Sequence, residues 1–274
     1  MYESFWGLNA KPFENSGDGR LHYPSQAQQG ALLKLRYAIE NHKPASMLAG
    51  ASGLGKTWLV QNLLRQLPER FSPKVQVVFP KLPPDQLLAH LADKITGESL
   101  ECKSMDQSLR VIESRLVQNR QSGKLAVIVI DEAHLLAESQ NIETIRLLLN
   151  LHWEMQPLAS FVLVGQTNLA VGMERHVELD ERLAVKCFLK RFSADETSAY
   201  IQHRLAACGC EREIFTSDAL QTIHEHTSGI PRRINRLCDL ALLVGFAEEV
   251  QQLNAQQLES ISEELVGAGG EAGF

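Results

Sequence analysis

Gly50-Ala51-Ser52-Gly53-Leu54-Gly55-Lys56-Thr57 fits the pattern G-x-x-x-x-G-K-[ST] at every fixed position. It follows the apolar run Pro44–Ala49 and leads into Thr57–Leu64, where apolar residues recur at helical spacing, so the local reading is strand, glycine loop, helix. Glycines let the backbone turn tightly enough to aim several N–H groups at phosphate oxygens, and the helix that follows adds its positive end. In such a loop Lys56 neutralises the β and γ phosphates and Thr57 offers a hydroxyl to magnesium. The expected binding set is Gly50, Ala51, Ser52, Gly53, Leu54, Gly55, Lys56 and Thr57 with Trp58 beside it, and the expected ligands are ATP and Mg2+.

A phosphate loop needs a partner carboxylate. Leu125–Ile130 is a continuous, mostly β-branched run of the kind buried on both faces of a parallel sheet, and it ends at Asp131-Glu132. At the carboxyl edge of that sheet Asp131 can hold hydrated magnesium, and Glu132 can polarise the water that attacks the γ phosphate. Between the loop and this strand lies another, Lys74–Phe79, which argues for the additional-strand branch of P-loop ATPases over the Ras-like and kinase-like branch. Asp131-Glu132-Ala133-His134 also spells DEAH, but the other helicase segments are not apparent; His134 is expected to be a solvated cap or a residue backing the site.

Ser160–Gly165 reads as a fourth strand and Val185–Leu189 as a fifth, with helical spacing at Ser25–Asn41, Asp85–Ile95, Ser104–Gln121 and Ser139–His152. Strands alternating with helices predict an α/β fold, a parallel five-stranded sheet covered on both faces. After Phe192 the strand signals stop. Ser193–Ala207, Ser217–Ser228 and Pro231–Glu248 carry helical spacing, with caps expected at Ser193 and Ser217 and a break at Gly229-Ile230-Pro231. The predicted domains are an α/β core with an N-terminal helical segment at 1–192, a helical lid at 193–265 and a disordered glycine-rich tail at 266–274.

The 274 residues, 44% hydrophobic and 22% charged, supply a full core and exclude a disordered or fibrous chain. Acidic residues outnumber basic ones 33 to 27, a net charge of -6 with His neutral, so any nucleic-acid contact must come from a local patch. No stretch approaches the roughly 18 to 20 apolar residues of a membrane span, and Met1-Tyr2-Glu3-Ser4-Phe5-Trp6 lacks the basic and apolar regions of a secretory signal, which predicts a cytoplasmic location. Five scattered cysteines without a C-x-x-C pair point to reduced thiols, and Cys208, Cys210, His224 and His226 match no usual zinc spacing.

These motifs resemble those of the AAA+ ATPases, and Gly229-Ile230-Pro231-Arg232-Arg233-Ile234-Asn235-Arg236-Leu237 is similar to their sensor-2 helix. Phe5-Trp6-Gly7-Leu8, Pro12-Phe13 and Tyr23-Pro24-Ser25 narrow the resemblance to the ExeA/MshM-like general secretion pathway protein A family, up to about Leu265. The resemblance implies that Gln166 is sensor 1, with Thr167 as the alternative. It implies that Arg232, or Arg233, is the sensor-2 arginine, and that Arg182 is an arginine finger serving the adjacent subunit's nucleotide. The competing reading of Arg182 is a surface ion pair with Asp180 or Glu181. A homo-oligomeric ring or filament follows from the finger, and Phe5–Phe13 either covers the adenine or staples to the core. Long members of the family continue into a membrane helix and a peptidoglycan-binding domain that this sequence does not contain, whereas short members fit the same pattern.

The implied function is a magnesium-dependent ATP-hydrolysing switch in secretion or pilus assembly. The alternative is a DNA-binding transposition regulator of the TniB/TnsC type, for which Lys186, Lys190, Arg191, Arg232, Arg233 and Arg236 would supply basic surface. A nucleotide-dependent scaffold would have no need of Glu132.

Overall fold

The computed structural model describes residues 1–15, 19–78, 80–100, 102, 104–136, 139–210 and 212–270. They form two compact units. One comprises the described residues within 26–52 and 56–189; the other comprises those within 1–25, 53–55 and 190–270.

The first of these is a five-stranded, all-parallel sheet built from β1 (Ala45–Ala49), β2 (Lys74–Val77), β3 (Ala126–Ile130), β4 (Ala159–Gly165) and β5 (Leu183–Phe188), in the order β2-β3-β4-β1-β5. Every residue of β1, β3 and β4 is buried, as expected for strands flanked on both sides and covered on both faces. Parallel neighbours require crossovers, which the helices Lys56–Gln66, Pro84–Thr96, Met105–Gln121 and Asn141–Leu148 help to supply, while Gln26–Glu40 precedes β1. Ser104 starts one of these by accepting the Gln107 N–H at 3.2 Å. Because β4 lies between β3 and β1, the segments leaving three adjacent strands emerge side by side at the carboxyl edge of the sheet, where open α/β sheets bind ligands.

Several boundaries differ from the sequence reading. The expected helix to His152 stops at Leu148, and His152–Trp153 pairs with Gln156–Pro157 as a small antiparallel hairpin. Its turn residues Glu154 and Met155 are left-handed, at φ 50° and 64°, without the Asn-Gly pair that usually announces such a turn. Short helices at Asn168–Glu174 and Val177–Asp180 fill the span before β5. β2 ends at Val77; Phe79, read as its last residue, lies outside the described residues.

The helical unit holds Ala194–Ala207, Ser217–Thr227, Pro231–Ala247 and Ala255–Gly270. Ser193 and Glu196 form a reciprocal capping box at 3.1 and 3.0 Å. The next cap is Thr216 and not Ser217: the Thr216 N–H donates to Leu253 O at 3.0 Å, which holds it in the extended conformation a cap requires. The last helix runs to Gly270, so the tail expected from 266 is helical there, and 271–274 lie outside the described residues.

Residues 1–25, assigned from sequence to the α/β core, pack instead with this helical unit. Trp6 is fully buried, its indole N–H donating to Leu242 O at 2.8 Å, while Phe13 meets Phe215 edge to face. Trp6 fits because residue 245 is glycine: a Cβ there would lie 2.8 Å from the indole ring. A buried polar chain fastens the same segment. Arg204 donates to Tyr200 Oη at 2.6 Å and to Glu14 O at 2.8 Å, Tyr200 donates to Asn235 Oδ1 at 2.6 Å, and Asn235 donates to Asn15 Oδ1 at 2.8 Å.

Burial, with His203 and Arg204 nearby, pushes the His22 imidazole down to about 4 from its ordinary 6.5. Between those values the unfolded chain binds a proton that the folded chain refuses, so this contribution to stability is complete above 6.5 and is lost as pH falls toward 4. His22→Gln should therefore flatten the fall in melting temperature across that window. Identical pH slopes for variant and wild type would refute the assignment.

Candidate nucleotide site

The glycine loop leaves β1 at the sheet's carboxyl edge. Gly53 and Gly55 sit at φ 84° and 83°, where a side chain would be strained, so the sequence pattern and the backbone agree on why those positions are glycine. The Lys56 ammonium donates to its own loop, to Gly50 O at 2.8 Å and Ala51 O at 2.9 Å. Lys56 opens the following helix, with Thr57 and the half-buried Trp58 in its first turn.

The Thr57 hydroxyl donates to Asp131 Oδ2 at 2.9 Å, joining the two motifs read separately in the sequence. Asp131 is buried and oriented from both sides: Oδ1 accepts the Glu132 N–H at 2.9 Å, and Oδ2 faces the Gln76 amide nitrogen at 3.4 Å. One hydroxyl and one carboxylate oxygen in contact form the hard-oxygen donor set that magnesium selects, so these residues fit that ion. Glu132 follows in the left-handed region, at φ 52°, with a half-exposed carboxylate. Held there by the turn Ala133–Leu135, a non-glycine residue of this kind stores roughly 1–3 kcal/mol of strain.

Gln76 escaped the sequence reading, although an amide amid Lys74-Val75-Gln76-Val77 was the available signal. Of the two expectations for His134, a solvated cap or a residue backing the site, the second fits: its side chain is mostly buried, with Nδ1 3.3 Å from Glu132 Oε2. The main-chain N–H of Gln166 lies 3.5 Å from the same Nδ1. Gln166 itself is exposed just past β4, and Thr167 immediately precedes the helix Asn168–Glu174 at its N-cap.

Arg182 immediately precedes β5, its N–H donating to Leu179 O at 3.1 Å. The carboxylate of Asp180 is engaged by Lys186 Nζ at 2.6 Å, and among the described residues no ion pair involves Arg182. In the helical unit, Arg232 and Arg233 are both exposed in the first turn of Pro231–Ala247, and the Arg232 main-chain N–H donates to Gly53 O at 3.3 Å. His224 contacts Thr197 at 2.9 Å and His226 contacts Ser262 at 2.8 Å. Among the described residues no helix is long and apolar enough to cross a membrane.

A family model described as an AAA domain matches residues 39–171. A General secretion pathway protein A from Aeromonas hydrophila is 34% identical over 250 residues, 90% of this chain and 45% of that protein, so the chain spans less than half the relative's length. Among solved structures, the Aeropyrum pernix ORC1 protein in complex with DNA superposes with a TM-score of 0.68 at 16% identity, over 93% of this chain and 68% of that one. Drosophila ORC bound to DNA gives 0.67 at 18% identity, over 90% and 64% of the two chains. The Thermotoga maritima RuvB Holliday junction branch migration motor gives 0.56 at 18% identity, over 90% and 73%. At these identities the structures speak to the fold: a P-loop core with a parallel five-stranded sheet and additional helices.

Proposed function

Because the chain belongs to the AAA+ ATPases of the general secretion pathway protein A family, we propose that it binds ATP with magnesium, hydrolyses it, and works as an oligomeric switch in secretion or pilus assembly. The observation that carries the chemistry is the 2.9 Å contact between Thr57 and Asp131, which brings the phosphate loop and the acidic strand end to one point. The loop N–H groups and Lys56 bind the triphosphate, with Lys56 exchanging its loop carbonyls for phosphate oxygens. Thr57 and Asp131 would hold magnesium, which when bound neutralises charge on the phosphates. Glu132 accepts a proton from the attacking water, and Gln166, or Thr167, orients it. Arg232, with Arg233 as the alternative, contacts the γ phosphate, and Arg182 acts in trans on the neighbouring subunit's nucleotide. The absence of an ion pair at Arg182 among the described residues supports that reading over the surface-pair one.

The transposition reading is weaker because Lys186, one of the cations it needs, is already paired with Asp180. The test is nucleotide affinity. Lys56→Ala should raise the Kd for a fluorescent ATP analogue on the order of 10- to 100-fold, since a charge-assisted hydrogen bond contributes about 1.5–3 kcal/mol. An unchanged Kd in a protein with the wild-type melting temperature would overturn the reading.

A further inference from the structure

One peptide unit links three parts of the site. The carbonyl of Gly165 accepts the Gly50 N–H at 3.2 Å, at the start of the phosphate loop. The N–H at the other end of the same peptide, that of Gln166, lies 3.5 Å from His134 Nδ1, and that nitrogen lies 3.3 Å from Glu132 Oε2. The approach requires glycine at 165: a Cβ would stand 2.9 Å from the His134 main-chain nitrogen.

A ring nitrogen carries either a proton or a lone pair. Nδ1 can donate to the Glu132 carboxylate or accept from Gln166, but it cannot do both. We infer that His134 is a positioning residue for Glu132, its Nδ1 alternating between the Glu132 carboxylate and the Gln166 N–H and so coupling the peptide after β4 to the water-polarising carboxylate. With Nδ1 protonated, Glu132 is drawn against the turn Ala133–Leu135. When the Gln166 N–H claims the lone pair, Nδ1 gives its proton to water, Nε2 takes one from water, and the carboxylate is released. The Gly165 carbonyl places this exchange under the influence of the phosphate loop. Nucleotide entering that loop and the release of Glu132 are thus connected through a single rigid peptide plane.

This inference rests on the proposed function, and the experiment separates the two. In steady-state ATP hydrolysis His134→Leu should lower kcat about tenfold with the KM for ATP within twofold of wild type. His134→Asn should recover most of the loss, because its amide sits near Nδ1 and can donate or accept according to its flip. In nucleotide-free protein, imidazole 15N NMR should show His134 protonated at Nδ1 in wild type. In Glu132→Gln, whose amide oxygen is a weaker acceptor than a carboxylate, Nδ1 should become the unprotonated nitrogen. A His134→Leu kcat within twofold of wild type, an Asn variant as slow as the Leu one, or the same His134 tautomer in wild type and Glu132→Gln would each overturn the inference and leave the proposed function standing. Should His134→Leu not fold, the Asn variant and the NMR comparison decide. Wild type hydrolysing ATP no faster than Glu132→Gln would overturn both.

Discussion

Glu132→Gln is expected to bind ATP as wild type does and to hydrolyse it about 10²- to 10⁴-fold more slowly, the range a positioned general base contributes. The substitution keeps size and hydrogen-bonding reach while removing the only property the proposed chemistry needs, a negative charge able to take a proton. Binding should survive because the phosphates are held by Lys56 and the loop amides. Asp131, already fixed by Thr57, Gln76 and the Glu132 N–H, keeps its contacts when the neighbouring side chain changes. Phosphate release measured beside analogue binding checks both halves, and equal turnover in variant and wild type would end the assignment of Glu132.

The second large effect is expected at Arg182. A finger that meets charge appearing only in the transition state is worth roughly 10³–10⁵ in turnover. Arg182→Ala should therefore leave ATP affinity near wild type and almost abolish hydrolysis. Mixing supplies the discriminating measurement. An Arg182→Ala subunit still holds ATP, and a Lys56→Ala subunit still presents its arginine, so a mixed assembly should recover activity that neither protein shows alone. Absence of recovery at every ratio would exclude action in trans and return Arg182 to a local role.

The features legible in the sequence are those whose cause is local. The phosphate loop shows itself because positions 53 and 55 need positive φ, a backbone demand that writes glycine directly into the chain. The three central strands show themselves because runs such as Ala126–Ile130 are buried on both faces, leaving no polar alternation to confuse with surface. What stayed hidden depends on contacts between distant residues. Trp6 and Phe13 announce burial but not against which partners, and their placement with Leu242 and Phe215 rests on a glycine at 245 and a buried hydrogen-bond chain no periodicity encodes. Gln76 and His134 acquire meaning only when β2 and the turn after β3 bring them to Asp131 and Glu132. The hairpin at 152–157 was unreadable for the opposite reason: its left-handed turn is made by Glu154 and Met155, residues that ordinarily avoid that conformation.

The joining of residues 1–25 to the helices after Lys190 bears on how the chain matures. On the ribosome the anchoring aromatics emerge before the surface that buries them, which is synthesised more than 160 residues later. The nucleotide-binding sheet, nearly contiguous in the chain, can close in the meantime. During that interval Trp6 and Phe13 lack the surface that buries them, and completion depends on one long-range closure between residues 1–25 and the helices after Lys190.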